Sequence, residues 1–128
     1  MRIKFASITV DDQDRALKFY TEVLGFRRMA DIPMGSFRFL TVVSSDDPEA
    51  TELILEQPSF PPSKIYQKER YDAGIPATAF TTADMAAEIA KLKSLGVKFR
   101  GEPQNAGPIL TVLFEDGCGN LVNLVQPS

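Results

Sequence analysis

At 128 residues the chain is long enough for one domain with a sizeable core, burying roughly two thirds of its unfolded surface without staples. Hydrophobic residues at 44% and charged residues at 24% match ordinary globular composition and argue against disorder. A net charge of -3 offers no broad basic surface for nucleic acid, and no apolar run approaches the roughly 20 residues that cross a bilayer. A small-molecule or protein partner is the expectation, with neither nucleic acid nor membrane. The single cysteine, Cys118, has no internal disulfide partner, and the opening MRIKFASITV lacks the features of a signal peptide, so a cytoplasmic location is expected.

Residues Ile3 to Val10 alternate, with Ala6, Ile8 and Val10 on one side and Phe5, Ser7 and Thr9 on the other, as in a half-buried strand. Asp11 or Asp12 then caps a helix whose apolar stripe is Ala16, Leu17, Tyr20, Val23 and Leu24, and Gly25 stops it. Three shorter strands follow, at about 26–31, 36–43 and 51–57, separated by the turn-rich IPMG and SSDDPEA. The stretch 58–76 has proline at both ends and room for a short helix around 64–71. It is long for a connection within a compact domain, which points to a lid or a packed surface element.

The pattern then repeats. ITVDDQDRALKFYTEVLGF aligns with FTTADMAAEIAKLKSLGV, placing Thr9 on Thr81, Asp12 on Asp84 and Leu24-Gly25 on Leu95-Gly96, and LILEQPS lies over VNLVQPS at the unit ends. In the second copy Thr82 or Asp84 is the cap and Ala86, Ile89, Leu92 and Leu95 are the stripe. Its strands are expected at about 97–101, 109–115 and 121–126, separated by EPQNAG and DGCGN. The fold class is α+β, one domain made of two tandem βαβββ units at about 1–57 and 77–128, joined by a linker at about 58–76.

The segments VDDQDRALKFYTEVLGF, LKSLGVKF and FEDGCGNLVNLVQ, with the repeat, resemble the vicinal oxygen chelate superfamily, which contains glyoxalases, bleomycin-resistance proteins and extradiol dioxygenases. The resemblance spans nearly the whole chain. It implies two curved sheets enclosing a funnel with helices outside, and a homodimer, since members commonly pair. Metal-dependent members hold a divalent ion with a side chain from the first and last strand of each unit. Carried over by position, these are Phe5, Ile54, Ala77 and Asn123, and the sequence has no histidine. Hydrocarbon side chains and a lone amide make a family-type transition-metal site improbable on chemical grounds, so no metal and no cofactor is expected.

The candidate ligand-binding residues are Phe5, Ser7, Arg38, Ile54, Glu56, Ala77 and Asn123. Phe5 is either plain apolar lining or a platform for a planar ligand. Glu56 and Glu52 are either solvated strand-end residues or, facing an apolar cavity, a general base. Asn123 either bonds neighbouring backbone or orients a ligand, and Arg38 is either a surface residue or a clamp for a carboxylate or ring. Cys118 shows nothing that would activate a thiolate and receives no role. The favoured reading is a metal-free protein that binds a planar or hydrophobic small molecule. Two others stay open: a lyase, isomerase or dioxygenase with relocated ligands or a Glu base, and a non-catalytic structural or regulatory dimer module.

Overall fold

The computed structural model describes residues 1–127 and divides into two compact units, Met1–Ile65 and Tyr66–Ser128. In the first, strand β1 (Phe5–Thr9) leads into helix α1 (Gln13–Lys18), and strands β2 (Arg27–Met34), β3 (Phe37–Val43) and β4 (Glu52–Glu56) follow. Helix α2 (Pro61–Asp72) runs across the division. The second unit repeats the plan with β5 (Thr78–Thr81), α3 (Met85–Ser94), β6 (Phe99–Ala106), β7 (Ile109–Glu115) and β8 (Leu121–Pro127). Each sheet has four strands, in the orders β1-β4-β3-β2 and β5-β8-β7-β6. The first strand of each unit pairs in parallel with the last, with Ser7 opposite Ile54 and Ala79 opposite Asn123, which is the register that the repeat alignment requires.

Asp12 makes the first helix cap by accepting the Arg15 N–H at 3.0 Å, and Asp84 does the same in the second unit for the Ala87 N–H at 3.0 Å. The end of the first helix is not plain α-helix. Residues Phe19–Val23 widen into a π turn, with the Leu24 N–H donating to the Phe19 carbonyl at 3.0 Å. Gly25, at φ 82°, then takes the left-handed conformation that reverses the chain into β2. The turn places Tyr20 wholly in the core, its ring 5.5 Å from that of Phe19 and 6.4 Å from that of Phe26. Around it the inner side of the sheet contributes Ile8, Val10, Leu40, Val42 and Leu55, all buried.

The second core is built on Val112, Phe114, Val122 and Leu124 beneath α3. Here the stripe differs from the sequence expectation. Met85 and Leu92 are buried and Ile89 half-buried, whereas Ala86 and Leu95 are exposed. Met85, the first residue after the Asp84 cap, is buried at the sheet end of the helix, where its N–H donates to Gln126 Oε1 of β8 at 2.6 Å. Two strands also run longer than turn chemistry suggests. Turn chemistry places IPMG between strands, but β2 continues through Pro33 to Met34 before turning at Gly35-Ser36, and β6 continues through Pro103 to Ala106. Both are edge strands, where proline's missing N–H leaves no ladder bond unmade, and β6 shifts register between Arg100 and Gln104.

Candidate binding pocket

Strand register fixes which side chains share the open face of the first sheet. Phe5, Ser7 and Thr9 lie opposite Glu52, Ile54 and Glu56, and Thr41 lies opposite Ile54, so Phe37 and Phe39 belong to the same face. Arg38, Leu40 and Val42 point the other way. The Phe5 and Phe39 rings meet edge to face at 5.8 Å.

On this face, toward the end of β4, lies a pocket of about 240 Å³. Its walls are Met34, Phe37, Phe39, Ile54, Pro58 and Phe60, and its polar rim includes Thr9, Glu56, Gln57 and Ser63. The β2–β3 hairpin supplies one side, and the chain entering α2 supplies the other through Phe60 and Ser63. A wider polar groove shares Phe37, Arg38 and Gln57 with it and reaches Asp11, Asp12 and Asp14 at the start of α1.

Arg38 is committed to charge pairing. Its Nη1 donates to Asp14 Oδ1 at 2.6 Å, and its Nε lies 3.1 Å from Asp31 Oδ1, a charge contact whose geometry falls short of an aligned hydrogen bond. The Asp14 hydrogen bond holds the guanidinium above its ordinary value, against the opposing effect of burial. The backbone at Arg38 is held equally firmly. Gln13, only 6% exposed, donates through Nε2 to the Arg38 carbonyl at 2.8 Å and to the Leu55 carbonyl at 2.9 Å, and its Oε1 accepts the Arg38 N–H at 3.2 Å. One amide thus ties the start of α1 to β3 and β4, the strands that carry the pocket.

Glu52 shares the open face but is 7% exposed and already satisfied. The Thr41 hydroxyl donates to it at 2.6 Å, Lys4 Nζ stands 3.3 Å away, and Thr41 in turn accepts the Ala30 N–H where β2 bulges. Glu56 differs. It is exposed, and among the described residues its carboxylate has no hydrogen-bond or ion-pair partner.

In the second unit, Ala77 precedes β5 and donates its N–H to the Leu121 carbonyl at 2.8 Å, while Asn123 sits half-buried on β8 between Ala79 and Leu113. The β7–β8 turn is organised by Asp116, which is wholly buried and accepts the N–H groups of Cys118 at 2.7 Å and Asn120 at 3.1 Å and the Asn120 side-chain amide at 2.8 Å. Gln67 of α2 donates to the Cys118 carbonyl at 3.1 Å and to Asn120 Oδ1 at 3.2 Å. Farther along α2, the Tyr71 hydroxyl donates to Glu115 Oε1 at 2.6 Å, and Arg100 lies 3.5 Å from the other oxygen with its guanidinium over the Tyr71 ring. The tyrosine hydrogen bond, with help from Arg100, holds the Glu115 carboxyl below its ordinary range, and the same bond and burial raise the Tyr71 hydroxyl.

Of the seven candidate residues, Arg38, Ile54 and Glu56 border the pocket, Arg38 with its side chain turned to the opposite side of the sheet toward Asp14 and Asp31. Phe5 and Ser7 share its sheet face without lining it, and Ala77 and Asn123 lie in the second unit. Sequence reading missed Met34, Phe37, Phe39 and Phe60. The first three follow from alternation along the hairpin once the β3–β4 register is known, whereas Phe60 has no signal beyond its place in a proline-rich turn.

The positions that bear a divalent ion in related folds can be tested for fit. In the first unit they carry Phe5 and Ile54, which have no donor atom. In the second they carry Ala77, equally inert, and Asn123, a neutral amide. Among the described residues no group of three or more His, Cys, Asp or Glu side chains could hold a metal ion. The donor set does not fit such an ion.

Residues 2–124 match the model of the Glyoxalase/Bleomycin resistance protein/Dioxygenase superfamily, and the chain belongs to that family. It is 49% identical over 126 residues to the uncharacterized protein YurT of Bacillus subtilis (strain 168), covering 98% of this chain and 99% of that one. Among solved structures it resembles UcmS2 with a TM-score of 0.83 and 29% identity, over 98% of this chain and 97% of that one. It also resembles TnmS3, an antibiotic binding protein from Streptomyces sp. CB03234, with a TM-score of 0.77 and 30% identity, over 100% and 97% of the two chains. No helix among the described residues is long and apolar enough to cross a membrane.

Proposed function

We propose that the chain is a small-molecule-binding protein that works without a metal ion and holds a planar or hydrophobic ligand in the pocket on the open face of the first sheet. The observation that carries this reading is the pocket wall, in which Phe37, Phe39 and Phe60 surround a cavity of about 240 Å³ together with Met34 and Ile54. Concave sites lined by aromatic and aliphatic groups with a few polar groups at the rim are the usual form of a ligand site. The name of TnmS3, an antibiotic binding protein, supports the same reading by likeness. The family's ligand positions, filled by Phe5, Ile54, Ala77 and Asn123, support the metal-free part, because three of these side chains have no donor atom and Asn123 offers only a neutral amide. The reading includes a homodimer in the cytoplasm, checked by sedimentation equilibrium and by fractionation.

The test has two arms. Chelator-treated protein is unfolded thermally with and without Zn, Ni, Mn, Co and Fe(II), and no change in midpoint is expected. A metal at 100 times its dissociation constant would add about 2.7 kcal/mol and raise the midpoint by roughly 5 to 15 °C, which would overturn the metal-free part. In the second arm, bicyclic aromatic compounds are titrated while amide and methyl resonances are followed. Shifts concentrated at Phe37, Phe39, Ile54 and Phe60 are expected, and their absence across the series would overturn the binding reading.

A further inference from the structure

Resting on that reading, we infer that the pocket selects organic cations, namely flat aromatic bodies carrying a protonated amine, with Glu56 as the residue that makes the selection. Among the described residues that line the pocket, only Arg38 and Glu56 carry charge. Arg38 faces the other side of the sheet and is matched by Asp14 and Asp31, so it brings no free positive charge to a ligand. Glu56 is the opposite case. Its backbone is fixed in the sheet, with its carbonyl accepting the Val10 N–H at 2.7 Å, while its carboxylate is unpartnered among the described residues and stands on the same face as Ile54. Glu52, two residues earlier on that face, shows the contrast, since Thr41 and Lys4 already satisfy it.

A carboxylate at the edge of hydrocarbon walls strengthens its attraction for a cation when the ligand displaces water, because the local dielectric falls. The Phe37, Phe39 and Phe60 rings add the attraction of their faces for positive charge. A neutral ligand of the same shape gains the burial without either effect, and an anion meets repulsion. The pairing partly exposes both charges, so the preference is modest and sensitive to salt.

The experiment compares three probes of one shape: 1-naphthylmethylammonium, 1-naphthylmethanol and 1-naphthylacetate, titrated at low and high salt with resonance shifts as the readout. The cation is expected to bind about five to ten times more tightly than the alcohol, corresponding to about 1 kcal/mol, and the anion more weakly than either. The preference should fall on going from low to high salt. In Glu56→Gln the ratio of cation to alcohol should fall to within about twofold, whereas Glu49→Gln, on an exposed loop, should keep it. Equal binding of cation and alcohol by the unmodified protein, or a ratio that survives Glu56→Gln, would overturn the inference and leave the pocket reading intact. Binding of none of the three at the pocket would overturn both.

Discussion

Gln13 and Arg38 exchange a reciprocal pair of hydrogen bonds, Nε2 to the Arg38 carbonyl at 2.8 Å and the Arg38 N–H to Oε1 at 3.2 Å, although 25 residues separate them. The amide completes its set with the Leu55 carbonyl. Because β3 and β4 carry Phe37, Phe39, Ile54 and Glu56, this one side chain braces the strands that line the pocket. Replacing Gln13 with Ala leaves buried backbone groups unpaired, which should cost about 2 to 3 kcal/mol. The loss is read as a lowered denaturation midpoint with an unchanged denaturant slope. Resonances of Phe39 and Ile54 should broaden or move in the same variant.

The contact between Tyr71 and Glu115 predicts a pH signature. Glu115 has its pKa lowered in the folded state, so its pairing contributes stability above the ordinary carboxylate pKa, and that contribution is lost as pH falls through the folded value. Tyr71 is raised, so its contribution is present below the ordinary tyrosine pKa and lost as pH rises through the folded value. Tyr71→Phe should therefore destabilise by about 1 kcal/mol near neutrality. The difference from the unmodified protein should shrink toward zero in acid below the carboxylate range and again in strong base. Urea unfolding of both proteins from acid below the carboxylate range to strong base checks it, and a difference that stays constant with pH would show that the effect of the substitution does not come from the Tyr71–Glu115 pairing.

The β7–β8 turn offers a third prediction. Asp116→Ala leaves the N–H groups of Cys118 and Asn120 and the Asn120 amide without their buried acceptor, and should cost about 3 kcal/mol. Gly119→Ala should cost about 1 to 3 kcal/mol, because φ is 95° and a Cβ there would stand 2.8 Å from Gln67 Nε2. Gln67→Ala removes that collision, so part of the glycine effect should disappear in the double variant. Thermal midpoints of the three variants and the double variant test the coupling.

Phe60 is 67% exposed and belongs to no core, so its removal should leave folding nearly untouched. It forms one wall of the pocket, and Phe60→Ala should weaken binding of 1-naphthylmethanol several-fold with a midpoint shift of under about 2 °C. Unchanged affinity would remove the start of α2 from the site.

Most of the architecture was legible because it rests on local rules applied twice. Alternation at Phe5 to Val10, Asp12 and Asp84 as caps, Gly25 and Gly96 as stops, and the matching LILEQPS and VNLVQPS ends together specify two βαβββ units. The misjudged pieces were those where the surroundings override local propensity. Pro33 and Pro103 read as turn formers, yet both lie in edge strands, where a missing N–H costs nothing. Ala86 fits a helical stripe, but it is Met85, held by Gln126 of β8, that is buried.

By itself, then, the sequence determined the repeat, the element order, the caps and the lack of imidazole or carboxylate side chains at the family's ligand positions, because each of these follows from residues close together along the chain or from chemistry that no folding can change. Tertiary structure decided the direction of Arg38 and the makeup of the pocket. Alternation says that neighbours on a strand face opposite ways, but only the register of β3 against β4 says which face meets the helix. That register sends Arg38 to Asp14 and Asp31, gathers Phe37, Phe39 and Ile54 on the open side, and leaves Glu56 beside them without a partner among the described residues.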